Sequence, residues 1–309
     1  MAETSKDISL KAKSTISQQP LWLALVISLR PKQWTKNSLL FFGLIFAHRL
    51  TEVDLALRAS LAFVAFCLLS SATYLFNDLA DLEKDRLHPK KRKRPIASGR
   101  VEPRLAIAVA ALLLVASLTL SGALGSPFLV MALLYLGLSL SYSYILKHIV
   151  IIDVMAISAG FVLRAAAGAV VISVPISPWL YVCTVLGALF IALCKRRNEL
   201  SVLQESAVNH RRILQDYSIP LLDQMISVVT SATLIAYSLY TFSAENLPEN
   251  SSMMLTIPFV LYGILRYLYL IQVRGSGGSP EEVLLSDKPL IATVTGWGAT
   301  CVVILYFFR

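Results

Sequence analysis

The chain has 309 residues, 56% of them hydrophobic and only 15% charged, with a mean hydropathy of +0.66. Soluble domains run at about 45–50% apolar and about 25% charged, so this chain lacks the polar surface to cover a water-soluble fold. The net charge of +9 suits phosphates and the inner side of a membrane rather than nucleic acid. Cys67, Cys183, Cys194 and Cys301 stand alone in or beside apolar runs, without the spacing of a disulfide frame or a zinc site.

Residues 1–20 are polar and basic, lack the apolar stretch of a cleavable signal, and read as a cytoplasmic tail. Residues 21–309 read as one membrane domain. Leu21–Leu29 is too short to span and is predicted to lie along the interface as a helix. Nine apolar runs follow, near 33–49, 55–76, 104–121, 127–146, 150–171, 178–194, 221–243, 253–273 and 289–307, the first of them short. At roughly 20 residues per crossing, these are helix-length segments. None shows the period-2 alternation of a barrel strand, and lipid leaves helices as the remaining option. The expected class is therefore an all-α membrane protein with about nine transmembrane helices.

Placing the N-terminus inside puts 24 of the 28 Lys and Arg residues on inner segments and three outside, with Arg164 within a span. Such a bias orients the inner loops toward the cytoplasm, where the polar chemistry is then expected. Gly275–Ser279 reads as a flexible link before the last span, since it lacks GxGxxG spacing and a following lysine.

Four constellations sit at the inner ends. The first runs from Asn77 to His88. At 100° per residue, Asn77, Asp81, Asp85 and His88 fall within about 80° of arc, with Asp78 just beyond. Carboxylates stacked one turn apart repel, so this face needs a cation, and hard oxygen donors suit Mg²⁺ shared with phosphate oxygens. Glu83, Lys84 and Arg86 on the other face read as solvated. The basic run Pro89–Gly99 follows at once. Lys90, Arg92 and Lys93 are explained as topology signals, whereas Lys91 and Arg94 are candidates to grip a diphosphate beside the metal. The second constellation is Arg30–Asn37, in which a helix would pair Lys32 with Lys36 and Gln33 with Asn37 at i,i+4. The third is the turn Ser141–His148, carrying Tyr142 and Lys147, followed by Asp153 and Arg164. Eleven residues separate those two, which puts them on one helix face with Arg164 roughly 16 Å deeper. An arginine at that depth needs a polar cavity or an interhelical partner. The fourth is Lys195-Arg196-Arg197-Asn198-Glu199, readable as a ligand cluster or as a stop-transfer signal.

The unbroken pattern NDxxDxxxDxxHPxKxxRPIASG from Asn77 to Gly99, the YSxxLK turn at Tyr142–Lys147 and the nine spans resemble the UbiA superfamily of intramembrane prenyltransferases over nearly the whole chain. The resemblance implies a helical bundle around a central cavity open to the cytoplasm, with Mg²⁺ as cofactor and Asp78, Asp81 and Asp85 as metal ligands and catalytic residues. Aromatic prenyltransferases of the superfamily carry a second DxxxD motif after the sixth span, where this chain reads Lys195 to Glu199. Together with Arg30–Asn37, Lys147-His148, Gly160–Arg164 and Pro280-Glu281-Glu282, that departure is similar to a different branch. Its members transfer phosphoribose from phosphoribosyl diphosphate (PRPP) to decaprenyl phosphate and release diphosphate, in lipid-linked arabinofuranose synthesis for the cell wall. The substrate contacts so implied are Lys32, Lys36, Asn77, Lys91, Arg94, Tyr142, Lys147, Arg164, Lys195, Arg196 and Glu199. The acceptor phosphate is already an anionic nucleophile, which removes the need for a His–carboxylate base. His88 and His148 are the histidines near this site. The alternative is an aromatic polyprenyltransferase using polyprenyl diphosphate, of the 4-hydroxybenzoate type. A transporter is disfavoured by the lack of an evident inverted repeat, and a non-enzymatic assembly partner would have no use for the carboxylate face. A homo-oligomer is compatible with the sequence.

Overall fold

The computed structural model describes residues 20–87, 91–204, 212–244, 247–274, 283 and 286–308. Residues 1–19, His88, Lys90, the Gly275–Ser279 link and Pro280-Glu281-Glu282 lie outside the described residues. The apolar runs wind into helices: α1 (Leu21–Leu29), the short α2 (Phe42–Phe46), α3 (Val53–Ala80), α4 (Leu82–Leu87), α5 (Pro103–Leu124), α6 (Ser126–Tyr144), α7 (Ile152–Val171), α8 (Pro178–Gln204), α9 (Ile219–Ser243), α10 (Ile257–Gln272) and α11 (Lys288–Phe307). Among the described residues, seven helices are long and apolar enough to cross a membrane. In addition, α8 runs 27 residues with no charge before Lys195, so the second to ninth expected spans each fall on one helix.

The first expected span differs. Pro31–Phe41 is a 3₁₀ helix that continues into α2, entered through Arg30 in the left-handed region at φ 55° and ψ 59°. Its rise of about 2.0 Å per residue, added to about 1.5 Å for each α2 residue, covers about 30 Å, the thickness of the hydrocarbon core. A run that looked short therefore has the reach of a full crossing. The period of three is visible in burial: Lys32, Thr35 and Ser38 form an exposed row, while Asn37 and Leu40 are buried. The i,i+4 pairing expected for Lys32 with Lys36 and for Gln33 with Asn37 is thus not formed. At three residues per turn these partners stand about 120° apart, and Lys32 points away from the packed side.

What imposes this geometry is α7. An added Cβ at Gly168 would lie 2.1 Å from the Leu40 carbonyl oxygen, and one at Gly43 would lie 3.0 Å from the Ala169 backbone. Only small residues allow two backbones to approach this closely in lipid. α7 is the central helix, with 61% of its apolar stretch buried, more than any other of the seven. α3 packs on α5 by similar means, with Ala106 and Ala110 of α5 buried in one cluster with Leu75 of α3, and Ser117 Oγ donating to the Ala65 carbonyl at 2.8 Å.

Candidate active site

Charged side chains gather where α3 ends. The helix stops at Ala80, Asp81 takes φ −96° and ψ 10° as its cap, and α4 resumes at Leu82. Asp78 and Asp85, two turns apart, are buried, Asn77 is half-buried, and the Asp81 side chain is a quarter exposed. Arg94, from the turn after the basic run, places Nη1 3.0 Å from Asp78 Oδ1 and 2.5 Å from Asp85 Oδ2. Arg30 Nη2 reaches the same Asp78 oxygen at 2.5 Å, and its guanidinium lies 4.9 Å from the centre of the Tyr74 ring. Lys91 stands 3.8 Å from Asp85. From the α6–α7 turn, Lys147 Nζ lies 3.4 Å from both Asp81 carboxylate oxygens.

The structure therefore brings together Asp78, Asp85, Lys91 and Arg94, and separately Asp81 and Lys147, as expected members of one site. It differs in how the carboxylates are neutralised. Their mutual repulsion is relieved by arginine and lysine from other segments, and no group of three metal-ligating side chains converges among the described residues. Glu83 and Lys84 are exposed, and Glu83 pairs with Arg86 at 2.8 Å.

A second cluster lies on α7 and α8. Arg196, 1% exposed, donates from Nε to Asp153 at 2.6 Å, from Nη1 to Glu199 at 2.5 Å and from Nη2 to the Tyr142 hydroxyl at 2.9 Å. Asp153 also accepts the Tyr217 hydroxyl at 2.7 Å, and that oxygen in turn accepts the Ile151 N–H at 2.8 Å. Burial pushes the Tyr217 phenol up to about 12, which keeps it a donor at neutral pH. Ile151 is held at φ 68° and ψ −44°, a strained conformation for a β-branched residue. Each of the three Arg196 nitrogens has a protein partner, which fixes the positions of Tyr142 and Glu199. Lys195 follows on α8, half-buried, as is Lys36 of the 3₁₀ segment.

Arg164 is likewise committed. Nε donates to Asn37 at 2.8 Å, Nη1 to the Gly160 carbonyl at 2.8 Å and Nη2 to Tyr135 at 2.6 Å, and its guanidinium lies 4.6 Å from the centre of the Tyr135 ring. Asp153, on the same helix face, pairs with Arg196 of α8. Arg164 instead ties the 3₁₀ segment to α6 and α7, with Asn37 passing the link to Cys67 and Ser70 of α3. On the opposite side of α7, Met155, Ser158 and Val162 line an apolar groove of about 440 Å³ with Leu138 and Tyr181.

Sequence reasoning missed Arg30, Tyr74 and Tyr217 as parts of these clusters. A tyrosine one turn before Asp78 was the available signal for Tyr74, whereas nothing local marks Tyr217 as the partner of Asp153.

Residues 38–277 match the model of the UbiA prenyltransferase family. The chain belongs to the UbiA prenyltransferase family. Among UbiA relatives, the decaprenyl-phosphate phosphoribosyltransferase of Mycolicibacterium smegmatis is 34% identical over 296 residues, covering 92% of each chain. The protein of the same name from Mycobacterium tuberculosis is 33% identical over 94% of this chain and 97% of its own. The fold matches a UbiA homolog from Archaeoglobus fulgidus bound to GPP and Mg²⁺, with a TM-score of 0.68 at 18% identity over 93% of this chain and 99% of that one. The donor chemistry here is compatible with a divalent ion: two buried carboxylate oxygens flank one Arg94 nitrogen, and Mg²⁺ is commonly held by one or two carboxylates plus phosphate oxygens.

Proposed function

We propose that this UbiA protein transfers 5-phosphoribose from PRPP to a polyprenyl phosphate, decaprenyl phosphate in the relatives' names, and releases diphosphate. The observation that carries this reading is the gathering of Arg30, Lys91, Arg94 and Lys147 around Asp78, Asp81 and Asp85 where α3 ends. Among the described residues, four cations meet three carboxylates there, and the excess positive charge favours a bound anion. PRPP brings a 5-phosphate besides its diphosphate, and the lipid acceptor brings a further phosphate, which accounts for a site richer in cations than in carboxylates. By the count of Lys and Arg, the site opens to the cytoplasm.

Arg94, Lys91 and Arg30 would receive the diphosphate at the end of α3, and Lys36 and Lys195 the remaining phosphates. A divalent ion, Mg²⁺ by chemistry, would be held by Asp78 and Asp85, with Asp81 beside them, and would neutralise charge on the leaving group. An oxygen of the lipid phosphate attacks ribose C1 as the bond from C1 to the diphosphate oxygen breaks, and diphosphate leaves with that electron pair. The nucleophile is already an anion, so no proton has to be removed. The protein's own contribution is electrostatic and positional: Arg196 fixes Tyr142 and Glu199, and Lys147 fixes Asp81.

Purified protein incubated with ribose-labelled PRPP, polyprenyl phosphate and Mg²⁺ should carry label into a lipid extract. Label that stays in the aqueous phase would overturn the reading. Turnover of polyprenyl diphosphate with an aromatic acceptor would place the protein in the other branch of the family.

A further inference from the structure

The carboxylates at the end of α3 are not waiting empty. Asp78 and Asp85 are buried, and their facing oxygens converge on a single nitrogen, Arg94 Nη1, at 3.0 Å and 2.5 Å. Two carboxylates sharing one point of positive charge is the arrangement a bound cation would also adopt. The backbone of Arg94 is fixed while its head is accessible. Its N–H donates to the Lys91 carbonyl and its own carbonyl accepts from Ser98 in a turn closed by Gly99 at φ 78°, yet the side chain is 31% exposed. Each carboxylate also has a second cation, Arg30 on Asp78 and Lys91 on Asp85, so withdrawal of Arg94 would leave neither without a countercharge.

We propose that Arg94 is a resident counter-cation. It occupies the divalent seat between Asp78 and Asp85 in the substrate-free protein, and it moves onto the diphosphate when the metal enters with it. The inference rests on the diphosphate reading above and adds an order to it. A free metal ion must displace the guanidinium into water, whereas a metal arriving with diphosphate supplies the arginine with a new anionic partner. Metal and PRPP then bind with positive coupling, each improving the affinity of the other by the same factor.

The test uses the full-length protein with Mn²⁺ as probe, titrated by electron paramagnetic resonance with and without PRPP, and needs no turnover. In Arg94→Gln, Mn²⁺ alone should bind about tenfold tighter or better, because a neighbouring cation lowers the cation affinity of a carboxylate by about one to three decades. PRPP should bind well over tenfold weaker, as expected for a lost charge-assisted contact of about 2–5 kcal/mol, and the coupling should collapse. An arginine that merely held the fold together would weaken both ligands. Arg94→Lys keeps a positive charge and should shift both affinities in the same opposite directions by less, and it decides the matter if the glutamine variant does not fold. Unchanged or weaker Mn²⁺ binding in a folded Arg94 variant would overturn the proposal. Wild-type protein that binds Mn²⁺ neither alone nor with PRPP would remove the diphosphate reading itself, and the proposal with it.

Discussion

Arg94 and Arg196 are both arginines between carboxylates at the charged end of one bundle, and they are built for opposite tasks. Arg196 is 1% exposed, and its Nε, Nη1 and Nη2 go to Asp153, Glu199 and Tyr142. Arg94 is 31% exposed and spends one nitrogen on two carboxylates. The first arrangement is closed, and a ligand could enter it only by breaking buried bonds. The second can exchange partners at little cost, since both its carboxylates keep another cation. Sequence alone treats the two as equivalent basic residues. What separates them is how many of the guanidinium nitrogens already have a protein partner.

Breaking the closed side should have the largest effect on stability. Arg196→Gln leaves Asp153 as a buried carboxylate without its cation, which typically costs about 3–5 kcal/mol. Thermal unfolding in detergent should fall sharply, and a stable, folded Arg196→Gln protein that has lost only PRPP affinity would return Arg196 to the substrate set. On the open side, Asp85→Asn should leave unfolding nearly unchanged. Its turnover should drop by about 10²–10³-fold, the usual scale for removing one preorganised electrostatic group, as read by transfer of label from PRPP to lipid.

The comparison sharpens with smaller changes. Tyr217→Phe keeps the ring but deprives Asp153 of a donor and Ile151 of an acceptor, with an expected loss of about 1–3 kcal/mol; an unchanged melting temperature would mean water replaces the hydroxyl. Asp287 caps α11, accepting from the Leu290 N–H at 3.0 Å and from Arg266 at 2.8 Å, and the Arg266 hydrogen bond holds its carboxyl below the usual carboxylate range. A depressed folded-state pKa contributes stability that is present above the ordinary carboxylate value and is lost as pH falls through the lowered one. The gap in melting temperature between wild type and Asp287→Asn should therefore be open at pH 7 and close in acid. Glu83→Gln should change neither activity nor melting, because its exposed pair with Arg86 contributes almost nothing.

The helices were legible because apolar length is a local property. The run read as 221–243 is the helix Ile219–Ser243, and that read as 289–307 is Lys288–Phe307. The charged face was legible in part: Asp78 and Asp85 meet on Arg94, but the helix breaks at Asp81, which turns to Lys147. Pro31–Phe41 was not. Over eleven residues, periods of 3.0 and 3.6 are hard to tell apart in sequence, and the tighter coil goes with a crossing at Gly168 that lies far along the chain. Nor were the ion pairs: Arg30 meets Asp78 across 48 residues, Arg196 meets Asp153 across 43, and Lys147 meets Asp81 across 66. Helix angles place Asp153 and Arg164 on one face correctly, but they say nothing of which neighbouring helix will arrive opposite each.

The partners of Arg164 also carry an implication for biosynthesis. Asn37 and Tyr135 precede it in the chain, and its third nitrogen donates to the Gly160 carbonyl on its own helix. A lone arginine near the middle of a segment raises the cost of entering the bilayer by roughly 2.5–3.5 kcal/mol. Here the ribosome delivers the receptacle before the charge, so α7 can leave the translocon into a half-built bundle whose amide and phenol already face it. Insertion of this helix is then a templated event, and Asn37→Ala would burden membrane integration of α7 before it touched any step of catalysis.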